Sequence, residues 1–145
     1  MKKKLIIISL LVIAIAIVCF QKMNNKPPKL NNITSIRVEY NQSIANKLLL
    51  VSPLEIKDAE QIEKLTDCFN VKSYYEIGCD CPSHDIIIHF MTDKKEYIYN
   101  IGITGDARIQ YSEVPDEDIS GININDIISV LNKNEGSENL KYPYE

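Results

Sequence analysis

The sequence predicts an α+β fold: an antiparallel sheet of about five to six strands with two helices packed on one face, preceded by an N-terminal membrane helix. Three observations carry this. Apolar and polar residues alternate with period two in several short runs separated by tight turns, the signature of hairpins. Only two later stretches carry a capped 3.6-residue periodicity, and they do not alternate with strands as βαβ crossovers would. The uncharged, almost wholly apolar run Leu5–Phe20 follows the basic head Met1-Lys2-Lys3-Lys4, as in a membrane-directed leader.

That leader comes first in the chain. Its 16 residues would span about 24 Å as a helix. This is longer than a usual signal core and slightly short for a spanning helix, a shortfall that Lys4 and Lys22 can make up by snorkelling. The expectation is an uncleaved signal anchor in a single-pass cell-membrane protein, with the three-lysine head inside and the body extracytoplasmic. Two alternatives stand beside it. Ala14-Ile15-Ala16 has the form of a peptidase site, so that cleavage near Ala16 would give a secreted body. Cys19 could carry a lipid anchor, although Val18 stands where a small residue is usual.

Residues 21–32 read as a flexible linker that Pro27-Pro28 keeps extended, with a reach of about 35–40 Å. The domain is placed at residues 33–133. Ile36, Val38 and Tyr40 alternate with Arg37 and Glu39 in a half-buried strand, and Lys47–Val51 reads as a second strand that Pro53 ends. Asp58 caps a helix carrying Ile62, Leu65 and Phe69, with Gln61 completing a capping box. Val71–Ile77 is a further strand. Asp85–Met91 and Glu96–Ile103 form a hairpin around the turn Thr92-Asp93-Lys94-Lys95, and Arg108–Tyr111 is a short strand after Thr104-Gly105-Asp106. Asn123 or Asn125 caps a last helix bearing Ile124, Ile127, Ile128 and Leu131, with Gly136 just beyond it. The expected order is β-β-α-β-β-β-β-α, and residues 134–145 form a tail.

Charge divides the chain at the linker. Residues 1–30 carry six lysines and no acid, whereas residues 31–145 carry ten basic and twenty acidic side chains, so +6 and −10 make up the net −4. An acidic body excludes nucleic acid as a partner and disfavours lying flat on anionic lipid. It suits a cationic partner, a divalent ion or simple solubility.

The chemically richest stretch is Cys79-Asp80-Cys81-Pro82-Ser83-His84-Asp85, followed by His89. Thiolate and imidazole suit Zn²⁺ or Cu⁺, so Cys79, Cys81 and His84 form the candidate metal set, although a single residue between the cysteines is tight for a structural zinc loop. Strand parity puts His89 on the face of Ile87 and Met91, where a satisfied, half-buried histidine is the usual finding. Outside the cytoplasm the same cysteines are first read as disulfide partners: one pair among Cys68, Cys79 and Cys81, with Cys68 bridged to either of the others. The cysteine left over would be the thiol of a redox protein only if its pKa were lowered, against the local acids.

Weaker signals complete the inventory. Asp116-Glu117-Asp118-Ile119-Ser120-Gly121 matches the start of a calcium loop, but Ile127 occupies the position of its bidentate glutamate, so the segment reads as an acidic turn. No serine sits in a nucleophile elbow, and five glycines supply no phosphate loop. Tyr97 and Tyr99 share a strand face with Ile101 and Ile103 and are expected to cover the edge of the core.

With anchor, linker, acidic α+β body and the segment Gly78-Cys79-Asp80-Cys81-Pro82 in view, the layout resembles small uncharacterised membrane-anchored or lipoprotein-like envelope proteins of low-GC Gram-positive bacteria. A ratio of fourteen lysines to two arginines agrees with such a source. The resemblance implies an envelope location and brings no activity with it. The functional expectation is a membrane-tethered, non-enzymatic binding module for an unknown envelope protein or ligand. The rival expectations are a Zn- or Cu-binding protein using Cys79, Cys81 and His84, and a thiol-redox protein using Cys68, Cys79 and Cys81.

Overall fold

The computed structural model describes residues 7–17, 28–48, 50, 52–70, 74–77, 84–103, 108–113 and 117–135. Their elements are α1 (residues 7–17), β1 (Ser35–Tyr40), α2 (Gln42–Leu48), β2 (Leu54–Ile56), α3 (Ala59–Phe69), β3 (Tyr74–Ile77), β4 (Ile86–Met91), β5 (Glu96–Gly102), β6 (Arg108–Tyr111), β7 (Glu117–Ser120) and α4 (Ile124–Glu135). The class is α+β, and every strand pair is antiparallel.

The sheet has seven strands in the order β2-β1-β4-β5-β6-β7-β3. Its two edges are therefore the strands on either side of α3 in sequence. The chain must carry α3 across the width of the sheet to get from one edge to the other, which sets this helix over the central strands. Register and pleat send Ile36, Val38, Ile86, Ile88, Phe90, Tyr99, Ile101, Ile109 and Tyr111 to one face. There they meet Ile62, Leu65 and Phe69 of α3 and Ile124, Ile127, Ile128 and Leu131 of α4 in a single core. Phe69 lies edge-on to Phe90 at 5.0 Å and to Tyr99 at 4.7 Å between ring centroids. Burial first, and the Glu113 carboxylate second, push the Tyr111 phenol above its ordinary value, so this ring packs against Tyr99 in its neutral form.

The expected helix starts are built from local chemistry. Asp58 Oδ1 accepts the Gln61 N–H at 3.0 Å at the head of α3, a cap worth about 1 kcal/mol. Asn123, rather than Asn125, caps α4: its Oδ1 accepts the Asn125 N–H at 3.0 Å. Thr92 Oγ1 accepts the Lys94 and Lys95 N–H groups and donates to the Lys95 carbonyl, closing the β4–β5 hairpin where the sequence placed it. Asp85, buried ahead of β4, accepts the Ile103 N–H on its carboxylate at 2.8 Å and holds the open end of that hairpin together.

Several expectations are corrected. The strand expected at Lys47–Val51 is replaced by helix at its start. Asn41 caps the short α2 through the Ser43 N–H, and Ile44, Ala45 and Leu48 pack on the core at helical spacing, so the strand forms later, at Leu54–Ile56. The acidic turn at residues 116–121 is also wrong: Glu117–Ser120 is β7, which pairs with β3 along its whole length and leaves Gly121, at φ 89°, to make the turn into α4. An extended, paired backbone cannot wrap a calcium ion as loop positions do. Among the described residues the sheet has seven strands rather than five or six, and the body has α2 beside the two expected helices α3 and α4.

At the N-terminal side, no helix among the described residues is long and apolar enough to cross a membrane. Residues 21–27 of the linker expected at 21–32, and residues 136–145 of the tail expected at 134–145, lie outside the described residues; α4 runs to Glu135. The body begins before Ile33: Leu30 is 2% exposed and belongs to the core. Asn70, at the C-cap of α3, grips its backbone from both sides, accepting the Leu30 N–H at 2.8 Å and donating to its carbonyl at 2.9 Å.

Candidate functional site

Of the expected metal set, His84 is exposed and lies two residues ahead of β4, while Cys79 and Cys81 lie outside the described residues. His89 is where parity placed it, on the face turned away from the core, its side chain 15% exposed. Its two ring nitrogens point apart. Nδ1 meets Glu96 Oε1 at 2.7 Å, and Nε2 stands 3.9 Å from Glu39 Oε1 with no hydrogen-bond partner. A ring set between two carboxylates in this way does not converge with them on one point. Among the described residues no group of three or more His, Cys, Asp or Glu is arranged to hold a metal ion.

Cys68 is a half-buried free thiol on α3, its Sγ donating to the Lys64 carbonyl at 3.3 Å. Its expected disulfide partners, Cys79 and Cys81, are both outside the described residues. Burial raises the Cys68 pKa, and the Asp126 and Asp67 carboxylates raise it further. An attacking redox thiol needs the opposite shift. Alkylation of this residue by iodoacetamide in the native protein is therefore expected to be slow at pH 7–8, about tenfold or more below an unfolded control, and to climb only above the usual thiol range near pH ~8.5. Peptide mass mapping at several pH values checks it; native labelling as fast as the control at pH 7 would contradict the assignment. The thiol favours the fold below its unfolded pKa, and that contribution fades as pH rises through the folded value.

Among the described residues, the apolar core shared with α3 and α4 lies on one face of the sheet, and the strand residues of the other parity form a second, largely polar face. This face carries Arg37 and Glu39 on β1, Glu55 on β2, Ile87, His89 and Met91 on β4, Glu96, Ile98 and Asn100 on β5, and Arg108 and the buried Gln110 on β6. Ile87, Met91 and Ile98 are half-buried; Ile98 stands opposite His89, with Ile87 and Met91 on either side of that histidine along β4. Arg37 Nη2 holds Glu39 Oε1 at 2.6 Å, and Lys57 Nζ holds Glu55 Oε2 at 2.7 Å. The alternation of Arg37 and Glu39 showed in the sequence. Their alignment with His89 and Glu96 did not, because it depends on β1 pairing with the distant β4, where Arg37 stands opposite His89.

A shallow cleft of about 550 Å³ lies between the chain leading into β1 and one face of α3, lined among others by Leu30, Asn32, Lys57, Thr66 and Asn70. Asn32 takes a left-handed conformation there, φ 55°, which asparagine tolerates better than most residues. Lysines 29 and 57 and the acids Glu63 and Asp67 border the same space, so it carries no single sign of charge. No protein-family model, no curated protein and no solved structure matches this chain.

Proposed function

We propose that this chain is a membrane-tethered, extracytoplasmic, non-enzymatic binding module, with α1 as part of the anchor and the α+β body as the part that meets an envelope partner. The observation that carries the reading is the surface of α1. Its large aliphatic residues, from Ile7 and Ile8 through Ile15 and Ile17, are each 52–65% exposed, and they cover the helix on all sides rather than along one stripe. A helix that is apolar all round requires an apolar surrounding, and the lysine head before it supports a body-out orientation. Leu30 and its clamp on Asn70 support the same reading, because they tie the tether to the core where the body begins.

Protease shaving of intact cells is expected to digest the body, and intact-mass measurement is expected to find the N-terminal apolar segment retained. Complete protection of the body would reverse the orientation. A mature chain starting at Ile17, or lipid on Cys19, would replace the anchor with one of its alternatives.

A further inference from the structure

We propose that the body meets the membrane at one end of its sheet, where β1 begins and β4 turns into β5, and that the occupant of this end is the headgroup layer of the bilayer holding α1. This rests on the membrane-anchor reading above and adds which end of the body lies against lipid.

Register defines the two ends. At one, Ser35 stands opposite Met91, the Thr34 N–H donates to the Met91 carbonyl at 2.8 Å, and the turn Thr92–Lys95 follows. Ile56 stands opposite Ile36, so Lys57 leaves β2 at this end too, and Lys95 meets Glu113 here at 3.4 Å. At the other end the Asn41 N–H donates to the Asp85 carbonyl and the Asp85 N–H to the Ile101 carbonyl, and α2 follows.

The chain enters the body at the first of these ends. Leu30 is held by Asn70, next to Phe69, whose ring lies against Phe90, the residue before Met91. The apolar run ends at Phe20 and the core begins at Leu30, a separation that an extended chain spans by at most about 33–36 Å. Crossing the headgroup layer uses about 5–7 Å of that reach. A compact body of about 105 residues is roughly 33 Å across.

With the start of β1 towards the bilayer, Leu30 lies close to it and any conformation of the connecting chain suffices. The reverse placement carries Leu30 most of a body diameter away. The connection must then skirt the body at nearly full length, against its conformational entropy. The bonds from Asn70 and to Met91 keep residues 30–34 from peeling off to lengthen it. This end carries both signs of charge, with Lys57, Lys94 and Lys95 beside Asp58, Asp93 and Glu113, so reach rather than charge selects the bilayer. A partner outside the membrane meets the opposite end, which bears α2, first.

The test puts p-azidophenylalanine in place of the exposed Lys94 or the exposed Gln42 in the full chain and couples a donor dye to it. Each labelled chain is reconstituted in phosphatidylcholine nanodiscs that carry a headgroup-linked quencher. The two sites are separated by the length of β1, about 17 Å or more, so quenching at position 94 should exceed that at position 42 by about twofold or more. Inserting about twenty residues of alternating glycine and serine between Asn25 and Lys26 is expected to bring the two values within about 20% of each other, because the longer connection reaches either end. If a labelled chain does not fold by circular dichroism, the neighbouring exposed residues Asp93 and Ser43 take the label instead. Equal quenching at both positions, stronger quenching at position 42, or a difference that the insertion leaves unchanged would overturn the proposal. Failure of the chain to co-elute with nanodiscs would overturn the anchor reading and this proposal with it, which separates the two failures.

Discussion

Phe69→Ala is expected to lower the unfolding free energy by about 3–5 kcal/mol, the usual cost of removing a fully buried aromatic ring. Phe69 is 2% exposed and sits at the end of α3, where the helix crosses the middle of the sheet. Its ring fills the space between Phe90 and Tyr99, which themselves meet edge-on at 5.7 Å. Truncation leaves a hole bordered by two large rings on different strands, and neither can turn into it without abandoning its own strand position. For a domain near 100 residues the loss corresponds to a fall in Tm of roughly 15–30 °C. Urea unfolding followed by circular dichroism reads it directly. A change below about 1 kcal/mol would mean that α3 does not pack on β4 and β5 as described.

Leu30→Ala is expected to cost about 2–5 kcal/mol, although the residue lies in a stretch whose composition reads as linker. The side chain is 2% exposed within the core, and the main chain is held at both its N–H and its carbonyl by Asn70. Asn70→Ala should remove both bonds and cost about 1–3 kcal/mol, because the freed backbone groups are shielded from water. The two substitutions touch the same contact, so the double variant should lose less than the sum of the singles. Denaturation of all three variants measures this. Effects within about 0.5 kcal/mol for Leu30→Ala would place the start of the folded body after this residue.

Some elements were fully legible from sequence. The span of α3 and its Asp58 cap, the hairpin Ile86–Met91 with Glu96–Gly102, and the orientation of His89 all follow from local rules. Each joins residues close in sequence, so period and cap chemistry are sufficient. Tyr97 packs against the core as its shared face with Ile101 suggested, but Tyr99, 0% exposed among Phe69, Phe90 and Tyr111, lies at the centre of the core rather than at its edge.

Other elements were not. Lys47-Leu48-Leu49-Leu50-Val51 has the composition of a strand, and only the docking of Ile44, Ala45 and Leu48 on the core selects helix up to Leu48. In β7 the sole apolar residue is Ile119, which gives no alternation to read; β3 stabilises that strand from a segment far earlier in the chain. Arg37, Glu39, His89 and Glu96 come from three strands, and their meeting is a product of register.

By itself, then, the sequence determined the α+β class, the antiparallel pairing, the capped α3 and α4 and the division of charge between a basic N-terminal stretch and an acidic body. These depend on periodicity, turn chemistry and charge, all of which act over a few residues. Tertiary structure alone decided that β2 and β3 occupy opposite edges, that Leu30 belongs to the core, and that His89 lies between two carboxylates on the sheet face turned away from that core. Those features arise from burying one common apolar surface, and the pairing that buries it best joins segments whose own sequences carry no record of each other.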